Sequence, residues 1–168
     1  TGDVTVWLNQ GAGPSTADLN FIVEELPPET FTLTLQANEL TITDTDGDSA
    51  VRDVDNPEPN PQTGMVNDIW TGSIGDEYLD LGGDNGDGAQ FIYNAQTSGA
   101  GTLTFRYAIG NGGNRPMTVF VNGVSQGVVP FSNTTAWDNW QEISIEIDLV
   151  AGENVVSFTQ NQGAGPNI

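Results

Sequence analysis

The chain has 168 residues, enough for one domain with a proper core, and is 36% hydrophobic but only 15% charged. Its 23 acidic residues stand against three basic ones, Arg52, Arg106 and Arg115, with no Lys and no His, for a formal net charge of −20. That balance argues against nucleic acid and anionic membrane as partners, because both require a basic stripe. It suits divalent cations and a saline exterior.

Cysteine is absent, so no disulfide framework exists. No apolar run approaches membrane-spanning length and no signal-peptide pattern is present. The expected location, secreted and extracellular or at the cell surface, therefore requires a signal outside these residues.

Read in chain order, the first feature is half of a repeat. Asn9-Gln10-Gly11-Ala12-Gly13-Pro14 recurs letter for letter as Asn161-Gln162-Gly163-Ala164-Gly165-Pro166. The flanks agree: Val4, Val6 and Leu8 echo Val155, Val156 and Phe158. The copies lie one domain's length apart, which points to a tandem array of whole domains rather than a solenoid of short units. After its hexapeptide the first copy continues into Asp18-Leu19-Asn20-Phe21-Ile22-Val23, an alternating strand signal. Residues 1–24 thus read as the terminal hairpin of a preceding or neighbouring module. Residues 25–31, with Pro27-Pro28, read as a stiff linker, and residues 32–168 as a fresh module lacking its final strand.

Within that module strands are predicted almost throughout. Phe31 to Leu35 and Leu40 to Thr43 alternate apolar and polar residues. Asp44-Thr45-Asp46-Gly47-Asp48 then places carboxylates at alternate positions around a glycine, a pattern suited to the six to eight oxygens calcium takes; the alternative is a solvated polar turn. The glycine-rich run from Gly82 to Gly88 lacks the Lys of a phosphate loop and reads as a turn. Leu103, Phe105 and Tyr107 share one strand face, with Thr104 and Arg106 on the other. Met117 to Val121, Asn122-Gly123 and Val124 to Val129 form a hairpin signal, since Asn-Gly suits the positive φ angles of a type I′ turn. Ile143, Ile145, Ile147 and Leu149 alternate with polar residues. No segment sustains a helical period. The fold class is all-β, a two-sheet antiparallel β-sandwich of jelly-roll type.

Without His, Cys or Lys, nucleophilic triads are excluded. Paired carboxylates for glycoside hydrolysis survive on count alone, yet nothing marks one pair, so the chain reads as non-enzymatic.

The order Tyr78-Leu79-Asp80-Leu81-Gly82-Gly83-Asp84, Leu103 to Ala108, Asn111-Gly112-Gly113-Asn114-Arg115-Pro116, Val121-Asn122-Gly123, Trp137-Asp138-Asn139-Trp140 and Gly165-Pro166-Asn167-Ile168 resembles the family 6 and family 35 carbohydrate-binding modules. The resemblance implies a non-catalytic jelly-roll lectin that binds polysaccharide in loops at one edge. It implies Trp137 as the stacking platform and Asn167 as an amide to the hydroxyls, with Tyr78 and Arg115 as walls. Trp7 and Trp140 read as core, and Trp70 as either core or site.

The resemblance also implies a calcium site built from Gln36 and Asn38, where an amide replaces the family's second carboxylate. The family's last metal ligand, an Asp after the Asn-Ile pair, has its equivalent in Asp18. The competing reading is structural. Neighbouring copies of the module would assemble into a filament or adhesin by strand complementation, with Asp18, Leu19, Phe21 and Val23 of residues 1–24 adding a strand to the next module's edge.

Overall fold

In the computed structural model, the structure describes residues 35–62, 64–65, 69–83 and 85–168. The predicted hairpin at 1–24 with its Asp18, Leu19, Phe21 and Val23, the linker at 25–31, Trp7, and the strand expected at Phe31 to Leu35, save Leu35 itself, lie outside the described residues; Leu35 is in no strand.

Among the described residues nine strands follow in order: β1 (Thr41–Thr43), β2 (Ala50–Asp53), β3 (Glu77–Asp80), β4 (Gly88–Ala95), β5 (Gly99–Tyr107), β6 (Met117–Val121), β7 (Val124–Val129), β8 (Gln141–Leu149) and β9 (Gly152–Gln160). Two short 310 turns, Ala37–Glu39 and Ile74–Asp76, are the only helical turns among the described residues. All pairings among these strands are antiparallel. One sheet has five strands in the order β1-β4-β9-β6-β7, and opposite it lie the pairs β2-β3 and β5-β8. The jelly-roll class of β-sandwich is what the alternation predicted.

The alternation in sequence becomes the core by strand geometry, since every second side chain points to one face. Phe105 and Tyr107 of β5 and Ile147 and Leu149 of β8 meet Val119 and Val121 of β6 and Val156 and Phe158 of β9. Aromatic rings interlock across the two layers. Phe105 meets Phe131 and Phe158 edge-on, with ring centres 5.3 and 5.2 Å apart, a preferred aromatic geometry.

The Asn-Gly turn adopts the predicted backbone, with φ of 51° at Asn122 and 79° at Gly123. The sequence did not single out β2 or β4. β4 begins at Gly88 because a Cβ there would lie 1.9 Å from the carbonyl oxygen of Phe158, so only glycine lets the two strands close up.

One polar residue holds a core position. Asn154 is fully buried, and its amide donates to the carbonyls of Val150 and Gly152 at 2.8 and 2.9 Å while its oxygen accepts from the Val150 N–H at 3.0 Å. Those bonds satisfy the buried amide and pin the β8–β9 turn.

At its C-terminal end the chain joins both strand pairs. Ile168 exchanges backbone hydrogen bonds with Leu79 of β3, at 2.6 and 3.0 Å, and Asn167 exchanges two of 3.0 Å with Ala108, just past β5. Asn167 and Ile168 thereby begin a strand between β3 and β5. Phe105→Ala, which removes the ring between the two layers, is expected to lower stability by about 3–5 kcal/mol in urea unfolding. A loss under 1 kcal/mol would contradict this account of the core.

Candidate functional site

The loops at one end of the sandwich enclose a cleft of about 310 Å³. Trp137 is half-buried there and owes its position to a rigid turn. The buried Thr134 hydroxyl accepts from the Ile109 N–H at 2.8 Å, and its carbonyl accepts from the Asn139 side-chain amide at 2.6 Å. The ring then lies against Gly110, where a Cβ would come within 2.2 Å of it. Trp70 faces Trp137 with ring centres 6.3 Å apart and planes 26° from parallel. Trp70, left open between core and site by sequence, belongs to the cleft.

Arg115 crosses the cleft with its guanidinium carbon 4.9 Å from the centre of the Trp137 ring, within cation–π range. It donates to the Gly165 carbonyl and, at 3.4 Å, to the Asn111 side-chain oxygen. Burial pulls its pKa down from the ordinary arginine value, and the negative charge of Asp80 opposes that pull.

Asn167 is buried at the cleft's inner end, held by its ladder bonds to Ala108. The sequence did not identify Asn60, Gln62 or Asp80 as site residues. Asn60 and Gln62 donate to the two oxygens of Asp80 at 2.9 and 3.3 Å, so a carboxylate and two amides line the wall. Their only sequence signal is placement in a Pro-rich loop, which does not reveal what the loop folds against.

Tyr78 is a correction to the sequence reading. It is 0% exposed, packs on Trp140 with ring centres 5.8 Å apart, and is not part of the cleft wall. Burial, with the negative charge of Asp80, raises its pKa above the ordinary tyrosine value. Trp140 is only partly buried, and its ring N–H donates to the Thr71 carbonyl at 2.9 Å.

The acidic loop lies behind the cleft. Asp44, Asp46 and Asp48 are joined by Asp87, each offering an oxygen within 4.8 Å of the others. Asp87 is fully buried and comes from the glycine-rich run that the sequence showed only as a turn. It accepts from the N–H and hydroxyl of Thr45 at 3.0 and 2.8 Å, which folds the two loops together.

Burial pushes the Asp44 carboxyl up, but N–H groups led by Gly47 and Asp46 outweigh it and hold its pKa below the ordinary value. Asp48 behaves oppositely: burial raises it, the Gly83 N–H opposes, and the charges of Asp46 and Asp87 add to the rise. One Asp48 oxygen is buried without a hydrogen-bond partner. Six to eight oxygens around one calcium at about 2.3–2.6 Å lie no more than about 5 Å apart, so this donor set fits that ion.

Gln36 and Asn38 gather no comparable set among the described residues. Gln36 caps the first 310 turn, its N–H donating to Glu39 at 2.7 Å, and Asn38 is exposed. Asp18 lies outside the described residues.

A family model described as carbohydrate binding module (family 6) matches residues 70–168. Endo-1,4-beta-xylanase B and alpha-L-arabinofuranosidase C of Cellvibrio japonicus (strain Ueda107) are each 35% identical over 108 residues, 62% of this chain. The match covers 18% and 17% of those proteins, so the chain spans less than a fifth of these curated relatives. Among solved structures, a family 35 carbohydrate binding module from Clostridium thermocellum superposes with a TM-score of 0.61 and 31% identity, covering 79% of this chain and 88% of that one. A family 35 module described as in complex with a glucuronic acid containing disaccharide has a TM-score of 0.57 and 31% identity, over 80% and 86% of the two chains.

Gly110→Ala is expected to displace the Trp137 ring, changing tryptophan fluorescence and near-UV circular dichroism while leaving the far-UV spectrum intact. Unchanged near-UV signal would show that the ring does not depend on that contact.

Proposed function

The chain belongs to the family 6 carbohydrate binding modules, and from that premise we propose that it is a non-catalytic module holding polysaccharide in the cleft of Trp137, Trp70, Arg115 and Asn167. The observation that carries this reading is the guanidinium of Arg115 set over the Trp137 ring among convergent amides. An aromatic face excludes water from one side of a sugar ring, while amides and charged groups at the rim satisfy its hydroxyls and fix its orientation. Arg115 adds a forked donor matched to a carboxylate, so a sugar acid is the first ligand class to test. A relative whose structure holds a glucuronic acid containing disaccharide supports that choice.

Such a module works outside the cell, where polysaccharide is met, and the greater length of its curated relatives supports a place within a longer protein. Absence of His and Cys supports a binding role over a catalytic one.

Isothermal titration calorimetry with a glucuronic acid containing disaccharide and its neutral counterpart tests the cleft. Trp137→Ala is expected to weaken binding of both at least tenfold, about 1.4 kcal/mol. Arg115→Gln is expected to weaken the acidic sugar more than the neutral one. Wild-type protein that binds neither these nor other polysaccharides would overturn the reading.

The same proposal places structural calcium at Asp44, Asp46, Asp48 and Asp87. The ion would offset the repulsion among four clustered carboxylates and fix the loop behind the cleft. The folded-state pKa of Asp48 lies above its ordinary value, so its ionisation costs stability as pH rises through that window. A bound cation reverses that cost. Calcium is therefore expected to raise the melting temperature at pH 7, with the gain fading as pH falls through the carboxylate range. Asp87→Asn should remove most of the gain. A melting temperature indifferent to calcium and to chelator would refute the site.

A further inference from the structure

The sequence contains three Asn-Gly pairs, Asn85-Gly86, Asn111-Gly112 and Asn122-Gly123. A glycine after an asparagine removes the Cβ that otherwise shields the next backbone nitrogen, so that nitrogen can reach the side-chain carbon Cγ. Whether the two react depends on how firmly the fold holds them apart.

Two of the pairs are held. Asn122 sits in the β6–β7 turn, where its backbone N–H donates to the Val155 carbonyl at 2.8 Å. Its side-chain oxygen accepts from the Val155 N–H at 2.9 Å, and its amide donates to the buried Asn154 at 3.2 Å. Turning that side chain toward Gly123 breaks both of the latter bonds. In the pair at Asn85 the nitrogen that would attack is itself engaged, since the Gly86 N–H donates to the Gln160 carbonyl at 3.2 Å.

The third pair is not held. Asn111, Gly112, Gly113 and Asn114, between β5 and β6, are all exposed, and a Cβ on either glycine would meet nothing within 4 Å. Gly112 is tied through its carbonyl, which accepts from the Asn133 amide at 2.6 Å, while its N–H has no hydrogen-bond partner among the described residues. The Asn111 side-chain nitrogen has none among them either, and the Asn111 side-chain oxygen accepts from Arg115 at 3.4 Å. That guanidinium also favours reaction, because negative charge develops on this oxygen when Cγ is attacked.

We propose that Asn111 is a site of spontaneous deamidation that cancels the positive charge of the cleft. The Gly112 nitrogen loses its proton and bonds to Cγ of Asn111. The Cγ–Nδ2 bond breaks, and Nδ2 takes up a proton and leaves as ammonia. The cyclic imide then adds one water and opens at either carbonyl, giving aspartate or, with the chain rerouted through the side chain, isoaspartate. Each event turns a neutral amide on the cleft wall into a carboxylate beside Arg115. A carboxylate holds the guanidinium more strongly than the amide does and competes with the acidic group of a sugar. The reaction stands on the loop alone, whereas its effect on binding rests on the sugar cleft proposed above.

Incubation of the full chain in mildly alkaline heavy-oxygen water, followed by peptide mapping, tests the reaction. Position 111 is expected to lose ammonia and gain the heavy oxygen at least about tenfold faster than positions 85 and 122. Asn111→Gln is expected to abolish the fast event with the melting temperature unchanged, because the longer side chain disfavours the ring. Equal rates at the three pairs, or a faster event at Asn85 or Asn122, would overturn the assignment. So would an Asn111 that stays intact while a free peptide of residues 109–115 is fully converted.

Calorimetry on aged protein and on Asn111→Asp, each against fresh protein, tests the consequence. Both are expected to bind a glucuronic acid containing disaccharide about tenfold more weakly, with its neutral counterpart changed by less than about twofold. Equal losses for the two sugars would overturn the charge argument. Fresh protein that binds neither sugar would remove the consequence together with the cleft reading, while the mass result at position 111 decides the reaction by itself.

Discussion

The hydrogen bonds of Asn167 and Ile168 to Leu79 and Ala108 are the constraint on which both fold and cleft depend. They draw the β2-β3 and β5-β8 pairs toward one sheet and bury Asn167 at the cleft's inner end. Gly165, immediately upstream, accepts from Arg115 through its carbonyl, which aims the guanidinium over Trp137. A run of four residues therefore sets the sheet junction, the amide and the cation together. The backbone bonds matter more than their individual worth, because a buried ladder group left unpaired loses its full solvation.

Charge shapes the rest of the molecule. With a net charge of −20, an acidic chain must keep its carboxylates apart or hold them with donors. Asp44 takes the second course through the N–H groups of its own loop, and Asp80 through Asn60 and Gln62. Asp48 and Asp87 are drawn together with Asp44 and Asp46 behind the cleft. The three arginines sit at separate structural duties: Arg115 in the cleft, Arg106 at the β5 edge and Arg52 buried in β2.

What was legible in the sequence was what is encoded locally. Alternation in β5 and β8 gave their inner faces, because side-chain direction depends only on position along a strand. Asn122-Gly123 gave its turn, because positive φ is a property of those residues themselves. Trp137, Arg115 and Asn167 were reached through the family pattern, and the fold brings them into one cleft. Residues that act by meeting across long loops were not legible. Asp87 joins a loop about forty residues upstream, and Asn60 and Gln62 reach Asp80 from a segment without periodicity. Tyr78 misled because aromatic character suits core and cleft alike, and only its burial beside Trp140 decides.

Gly82 and Gly83 line the cleft on one side and back onto Asp48 on the other. A Cβ on Gly82 would stand 1.3 Å from an Asp48 oxygen, and the Gly83 N–H already donates to that carboxylate at 2.8 Å. The partition between the two sites is thus a single thickness of bare backbone. A side chain added at Gly82 would therefore displace Asp48 in the acidic loop as well as reshape the cleft wall.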